Sequence, residues 1–213
     1  MRIYEKNGRK YLSVTSLVTL RYPFDNSGFT TWAWSNGYDP EWINKESTRL
    51  GERYHAYLEN KFHGISDWAD ILETEKDKKY HEATEKFFDD GWEILDSEVE
   101  VFNDDWNYAG RFDFIGRNKK LGIDKALMDC KTYGAWKGGK YKRDNKKLGK
   151  LSMQLTLYSE AIGHKGKMIG VMLDGTGNYT LEDIPKDESV WDWLGENRNE
   201  IVKLLQENDV SRE

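Results

Sequence analysis

The stretch that decides the fold is Tyr108-Ala109-Gly110-Arg111-Phe112-Asp113-Phe114-Ile115, taken together with Leu127-Met128-Asp129-Cys130-Lys131. Both are short, mostly apolar segments bounded by turn-forming residues, a pattern that is typical of buried β-strands. Because side chains alternate along a strand, Asp113 is predicted to point to the face opposite Phe112 and Phe114. A buried strand that carries a carboxylate indicates a site as well as a core.

The second segment ends in a charged pair. Asp129 and Lys131 are two residues apart, so they are predicted to project from the same face of their strand. Asp113 and Asp129 supply two carboxylates that can converge on one divalent cation. Oxygen atoms are the ligands that Mg²⁺ prefers. A lysine beside such a cation can orient water and offset negative charge. This combination suits the hydrolysis of a phosphodiester bond.

The pattern on either side predicts an α/β protein. Helical spacing of apolar residues favours helices over about 41–62, 76–95 and 148–162, a closing helix over 190–205, and a short helix capped within 13–16. Alternation predicts a hairpin of 99–101 with 112–115, and further strands at 126–131, 168–173 and 178–184. We expect helices on a mixed central sheet, in one domain over 1–213, with a core at about 41–173 and a C-terminal strand and helix at 178–208.

The composition excludes several classes of protein. The chain has 213 residues, and its 32 Lys and Arg against 38 Asp and Glu give a net charge of −6. Its one cysteine, Cys130, excludes a disulfide framework and any zinc or iron–sulfur site built on several thiolates. With no long apolar run and no signal peptide, we expect an intracellular, cytoplasmic protein without a membrane segment.

The chain resembles the PD-(D/E)xK nuclease superfamily, and specifically its RecB-like branch of phage, archaeal-virus, mitochondrial and CRISPR-associated exonucleases. Asp113 followed by Asp129-Cys130-Lys131 is similar to the signature of the superfamily. Further motifs of the branch occur in the same order, from about residue 11 to residue 163: Ser13-Val14-Thr15-Ser16, Gly51-Glu52-Arg53-Tyr54-His55, Glu98-Val99-Glu100-Val101 with Tyr108-Ala109-Gly110-Arg111-Phe112-Asp113, and Gln154-Leu155-Thr156-Leu157-Tyr158.

The resemblance implies a restriction-endonuclease-like core (αβββαβ) and a DNA nuclease that depends on Mg²⁺ or Mn²⁺. It implies that the metal is bound by His55, Asp113, Asp129 and the main-chain carbonyl of Cys130, that Lys131 activates or orients water, and that Glu98 acts in the second shell or positions a water. It also implies that Gln154 and Tyr158 border the site and contact DNA, and that the products carry a 5′-phosphate and a 3′-hydroxyl. The chain lacks the cysteines of the iron–sulfur members.

A basic cluster lies six residues beyond Lys131. It consists of Lys137, Lys140, Lys142, Arg143, Lys146, Lys147 and Lys150, against the single acid Asp144. A cationic loop beside the proposed site is expected to bind DNA phosphates, and Trp136 and Tyr141 to stack on unpaired bases. Single-stranded ends or flaps, met in replication, recombination or repair, are therefore the favoured substrate.

Other functions fit the same residues. The chain has no phosphate-binding loop and hence no nucleotide cofactor, so a helicase or recombination partner would be a separate protein, and a viral or phage origin fits the resemblance. A non-catalytic DNA-binding protein that retains the nuclease fold, a dimeric structure-selective junction endonuclease, and an interaction module in a recombination or CRISPR assembly stay open. The sequence decides neither the oligomeric state nor exonuclease against endonuclease action.

Overall fold

The computed structural model of the protein describes residues 1–23, 27–64, 75–133 and 140–208. The strands in these residues are β1 (Ile3–Lys6), β2 (Arg9–Ser13), β3 (Trp92–Asn103), β4 (Tyr108–Asn118), β5 (Ile123–Tyr133), β6 (Lys167–Asp174) and β7 (Tyr179–Asp183). The helices are α1 (Val14–Arg21), α2 (Ser27–Ser35), α3 (Pro40–Phe62), α4 (Glu75–Asp89), α5 (Asn145–Ala161), α6 (Val190–Glu196) and α7 (Arg198–Glu207). A 3-10 turn at Lys119–Leu121 joins β4 to β5.

The strands form one mixed seven-stranded sheet. Its order is β1-β2-β4-β5-β6-β7, and β3 pairs with β4 outside that path. The β2–β4 and β5–β6 pairs are parallel, and the other pairs are antiparallel. The predicted α/β class, with helices on a mixed sheet, is confirmed.

Two apolar clusters cover the two faces of the sheet. Helices α1, α5, α6 and α7 pack on one face, where Leu12, Leu127 and Leu155 are fully buried. Helices α3 and α4 pack on the other face, where Tyr80 and Met128 are buried. No helix among the described residues is both long enough and apolar enough to cross a bilayer. The site described below lies where helices from both faces approach β4.

Several predicted elements have other bounds in the structure. The helix expected over 76–95 ends at Asp89, because Gly91 takes a left-handed φ of 96° and Trp92 then begins β3. The closing helix is broken at Asn197 into α6 and α7. The strand expected at 112–115 is longer in the structure, where β4 continues as far as Asn118.

The expected common face of Phe112 and Phe114 is wrong. Phe112 packs with the α5 side of the sheet, whereas Phe114 packs with the α3 and α4 side. The alternation breaks at Asp113, which lies opposite Glu98, a non-glycine residue at a positive φ of 53°. This irregularity of the β3–β4 hairpin turns both carboxylates toward a common cleft.

Candidate metal centre

Three side chains from three different elements form the centre of the site. His55 of α3, Glu98 of β3 and Asp113 of β4 each place one ligand atom so that all three atoms lie within 4.8 Å of one another. The His55 Nδ1 atom is 3.3 Å from Glu98 Oε1 and 3.6 Å from Asp113 Oδ1. One imidazole and two carboxylates can hold a divalent cation between them.

The helix α3 places His55 at the site because its other face is apolar. Asp39 caps the helix by accepting a hydrogen bond from the Glu41 N–H, and proline occupies its first turn. Tyr54 and Leu58 are buried against the sheet. His55 follows Tyr54 by one residue and therefore sits at the margin of this apolar face, partly exposed to the cleft.

Asp113 lies where one edge of β4 changes its pairing partner from β2 to β5. β3 runs along one edge of β4, while β5 pairs with residues 114–118 and β2 with residues 108–109. Positions 110–113 fall between the last two pairings, and there the Asp113 Oδ2 atom accepts a hydrogen bond of 2.7 Å from the Cys130 N–H. A strand residue points its N–H and C=O to the same edge, so the Cys130 carbonyl also faces β4. This is the carbonyl that the family resemblance implied as a metal ligand.

Asp129 and Lys131 share one face of β5, as predicted. The Lys131 Nζ atom lies 2.6 Å from Asp129 Oδ2, and Gln154 of α5 donates a hydrogen bond of 2.9 Å to Asp129 Oδ1. The Asp129 side chain is 1% exposed, whereas that of Lys131 is 40% exposed. Asp129 therefore holds a lysine whose ammonium group reaches a cleft. Its carboxylate interacts electrostatically with Asp113 and His55, although it is not one of the three triad atoms that lie within 4.8 Å of one another.

The charges of the site shift its protonation equilibria. The Asp113 carboxylate raises the pKa of His55 to about 9, with support from the hydrogen bond to Glu98 and against the effect of burial. Burial, with the nearby charge of Asp113, raises the pKa of Asp129 above its usual value. Burial disfavours the Lys131 cation, but Asp129 and Asp113 outweigh it and raise the pKa of Lys131. The negative charges of Asp113 and Asp129 together favour the binding of cations at the site.

The donor set fits a hard or borderline divalent cation. Carboxylate oxygens suit Mg²⁺, and the addition of an imidazole nitrogen also suits Mn²⁺. His55, Glu98 and Asp113 would hold the ion, with the Cys130 carbonyl facing the same edge. The Cys130 thiol is buried against the Val171 carbonyl, so it is not available as a ligand. The described residues thus fit Mg²⁺ or Mn²⁺.

Glu98 and Arg111 lie closer to the centre of the site than the sequence indicated. Glu98 was expected to act in the second shell or to position a water, and in the structure it offers one of the three atoms that could hold an ion. Its second oxygen, Oε2, is 2.9 Å from the Nε atom of Arg111, a residue that sequence reasoning did not select. Arg111 lies two positions before Asp113, so its position in the strand was the only available signal.

The predicted DNA-binding residues fall into four groups by where they lie. Gln154 and Tyr158 lie at the site: Gln154 bonds to Asp129, and a Cβ added at Gly110 would meet the Tyr158 ring at 2.7 Å. Arg143 instead pairs with the buried Glu182 of β7, which also accepts a hydrogen bond from the Tyr141 hydroxyl. The other predicted contacts are exposed lysines: Lys140, Lys142, Lys146 and Lys147. Lys137 and Trp136 lie outside the described residues.

Two adjoining clefts open beside the triad. The metal cleft has a volume of about 360 Å³ and is lined by the three triad residues together with Arg111 and Tyr158. The lysine cleft has a volume of about 370 Å³ and lies between α1, α5 and the end of β5, with Lys131 in its wall. Thr15 of α1 lines both clefts. Lys131 therefore faces the lysine cleft, whereas the triad faces the metal cleft.

The fold and site define an α/β protein with a mixed seven-stranded sheet and a candidate divalent-metal centre. No family model and no curated protein matches the chain. A solved structure of a protein designated SSO0001 aligns with 94% of this chain and 78% of its own, at 22% identity and a TM-score of 0.43. Similarity at that level supports no statement about fold or function.

Proposed function

We propose that this protein is a metal-dependent nuclease that hydrolyses phosphodiester bonds of DNA. The observation that carries the proposal is the convergence of His55, Glu98 and Asp113 from three separate elements, within 4.8 Å of one another. The Asp129–Lys131 pair adds a partly exposed ammonium group in the adjoining cleft. A centre that binds a cation beside a fixed lysine matches the needs of a phosphoryl group in hydrolysis.

The order of elements supports a finer proposal for the fold. A helix, the strands β3, β4 and β5, then α5 and β6, follow one another as α, β, β, β, α, β. We propose that these elements form a restriction-endonuclease-like core. The hairpin β1–β2 with α1 and α2 then precedes it, and β7 with α6 and α7 follows it.

The residues of this chain have distinct tasks in the proposed reaction. A bound Mg²⁺ or Mn²⁺ supplies Lewis acidity and lowers the pKa of water. Asp129 keeps Lys131 protonated and fixes its Nζ atom, and Gln154 fixes Asp129 through its second oxygen. Lys131 thus presents a cation at the lysine cleft, where it can orient water and stabilise negative charge that develops on the phosphate.

The proposal is tested by incubating the protein with linear and circular single-stranded DNA in Mg²⁺, Mn²⁺ or EDTA. We expect cleavage with either metal and none in EDTA. Cutting of the circle would assign endonuclease action, and release of nucleotides from linear DNA alone would assign exonuclease action. If DNA is bound but remains intact with both metals, the nuclease proposal is wrong and the non-catalytic alternative is favoured.

Metal binding is expected to strengthen as the pH rises. The pKa of His55 is about 9, and only the neutral imidazole can act as a ligand, so below pH 9 metal binding must displace a proton. The affinity for the metal ion should therefore rise by about tenfold per pH unit and level off above the pKa of His55. Calorimetric titration of Mn²⁺ at about pH 6 and pH 8 should differ by about a hundredfold.

The His55→Gln variant serves as the control for this titration. Glutamine retains a ligand atom but does not titrate, so the dependence of Mn²⁺ affinity on pH should be much weaker. Equal affinities of the wild-type protein at both pH values would show that His55 does not bind the ion.

A further inference from the structure

The lysine cleft has features that the metal centre does not require. Its walls come from three elements: Thr15 and Thr19 of α1, Lys147 and Lys150 of α5, and Lys131 and Tyr133 at the end of β5. Residues 147, 150 and 154 recur at helical spacing, so α5 presents one face to the cleft. The cleft is therefore built by regular elements rather than by a chance gap between loops.

The cleft is strongly cationic. Lys131, Lys147 and Lys150 line it, and none of the described residues in its wall is acidic. This contrasts with the metal cleft, where Glu52, Glu59, Glu98 and Asp113 face Arg2 and Arg111. Phosphate groups are favoured in the first environment, and a metal ion is favoured in the second.

The cleft also has an apolar side and a limited size. Val18, Tyr133 and Leu151 lie in its wall, and the Lys147 Nζ atom is 4.9 Å from the centre of the Tyr133 ring. Its volume of about 370 Å³ is near the lower end of the range of about 300–1,000 Å³ in which proteins bind single small ligands. Such a cleft is large enough to hold the base and sugar of one nucleotide.

We propose that the lysine cleft binds one unpaired nucleotide of the DNA strand, next to the phosphate that is cleaved. The base and sugar lie against Val18 and Tyr133, and the flanking phosphates contact Lys147 and Lys150. The inference rests on the proposed nuclease function and deepens it, because it makes the substrate single-stranded at this position. Thr15, which lines both clefts, marks the point where the strand passes to the metal.

The first test measures the binding of an oligothymidylate of about ten nucleotides by fluorescence anisotropy in EDTA. The double variant Lys147→Gln/Lys150→Gln should bind about tenfold more weakly, and the salt slope should fall by about 0.7 for each phosphate that the variant no longer neutralises. The control Lys165→Gln/Lys167→Gln removes the same charge at the start of β6, at the opposite end of the sheet. It should bind like the wild type, and equally weakened binding in both variants would overturn the proposal.

The second test fills the cleft without a change of charge. Thr19→Trp places an indole at the wall of α1 and should abolish oligothymidylate binding while Mn²⁺ binding persists. Thr48→Trp is a matched control, because both threonines are exposed and both donate their hydroxyl to the carbonyl four residues earlier. Unchanged binding by a folded Thr19→Trp protein would contradict the assignment.

A duplex of the same sequence completes the test. It should compete for the labelled strand about tenfold more weakly than the unlabelled single strand does, and equal competition would contradict the proposal. Since the DNA-binding measurements are made in EDTA, where no cleavage can occur, their failure is distinct from a failure of cleavage. A protein that shows the expected binding pattern but never cuts DNA would retain the nucleotide cleft and lose the nuclease proposal.

Discussion

Replacement of Asp113 by asparagine is expected to remove nearly all metal-dependent cleavage. The substitution keeps the shape of the side chain and an oxygen that can accept the Cys130 N–H, but it removes a charged ligand from the triad. Loss of several kcal/mol of charge stabilisation corresponds to a fall of about a thousandfold in turnover. Turnover is measured on linear single-stranded DNA at a saturating concentration of Mn²⁺.

The same variant has a second readout that does not depend on activity. Because Asp113 is the main cause of the raised pKa of His55, the pKa of this histidine should fall from about 9 toward its ordinary value, as followed by NMR. Asp124→Asn, an exposed carboxylate on β5, is the matched control and should change neither quantity. If Asp113→Asn retains wild-type cleavage, the metal centre has been assigned to the wrong residues.

Local patterns in the sequence were sufficient for α1 and α3, the helices that bring Thr15 and His55 to the site. Ser13 caps α1 by accepting the Ser16 N–H, and α3 begins and ends close to its predicted bounds. The N-terminal hairpin was missed although Asn7-Gly8 is a strong turn signal, and both residues have positive φ. That signal was present in the chain and could have been used.

Other features depend on contacts that are distant in sequence. The positive φ of Glu98 breaks the alternation of the hairpin and brings its carboxylate to His55, and no residue pattern within β3 predicts this. Arg143 was expected to contact DNA as part of a basic run, but the buried Glu182 of β7 attracts it. Charge clustering in the sequence predicts the sign of the net charge of a region, whereas the fold decides which cationic side chains face the cleft.

Lys131 is expected to affect turnover rather than binding. Lys131→Met keeps most of the apolar stem and removes the ammonium group that lies 2.6 Å from Asp129. Turnover should fall by about a hundredfold or more, in the range seen when one group that stabilises developing charge is removed. The affinity for single-stranded DNA in EDTA should change by less than about threefold, because Lys147 and Lys150 still line the cleft.

The effect on Asp129 separates a chemical role of Lys131 from a structural one. Lys131 lowers the pKa of this buried carboxyl, so its loss should raise that pKa further. The pH at which cleavage reaches half of its maximum should then move upward in Lys131→Met, while a merely structural lysine would lower the thermal stability and leave the pH profile in place. Lys131→Arg, which retains the charge, should recover part of the turnover and the wild-type pH profile. An unchanged rate in Lys131→Met would remove this residue from the proposed chemistry, since nothing else in the described site provides a cation held by Asp129.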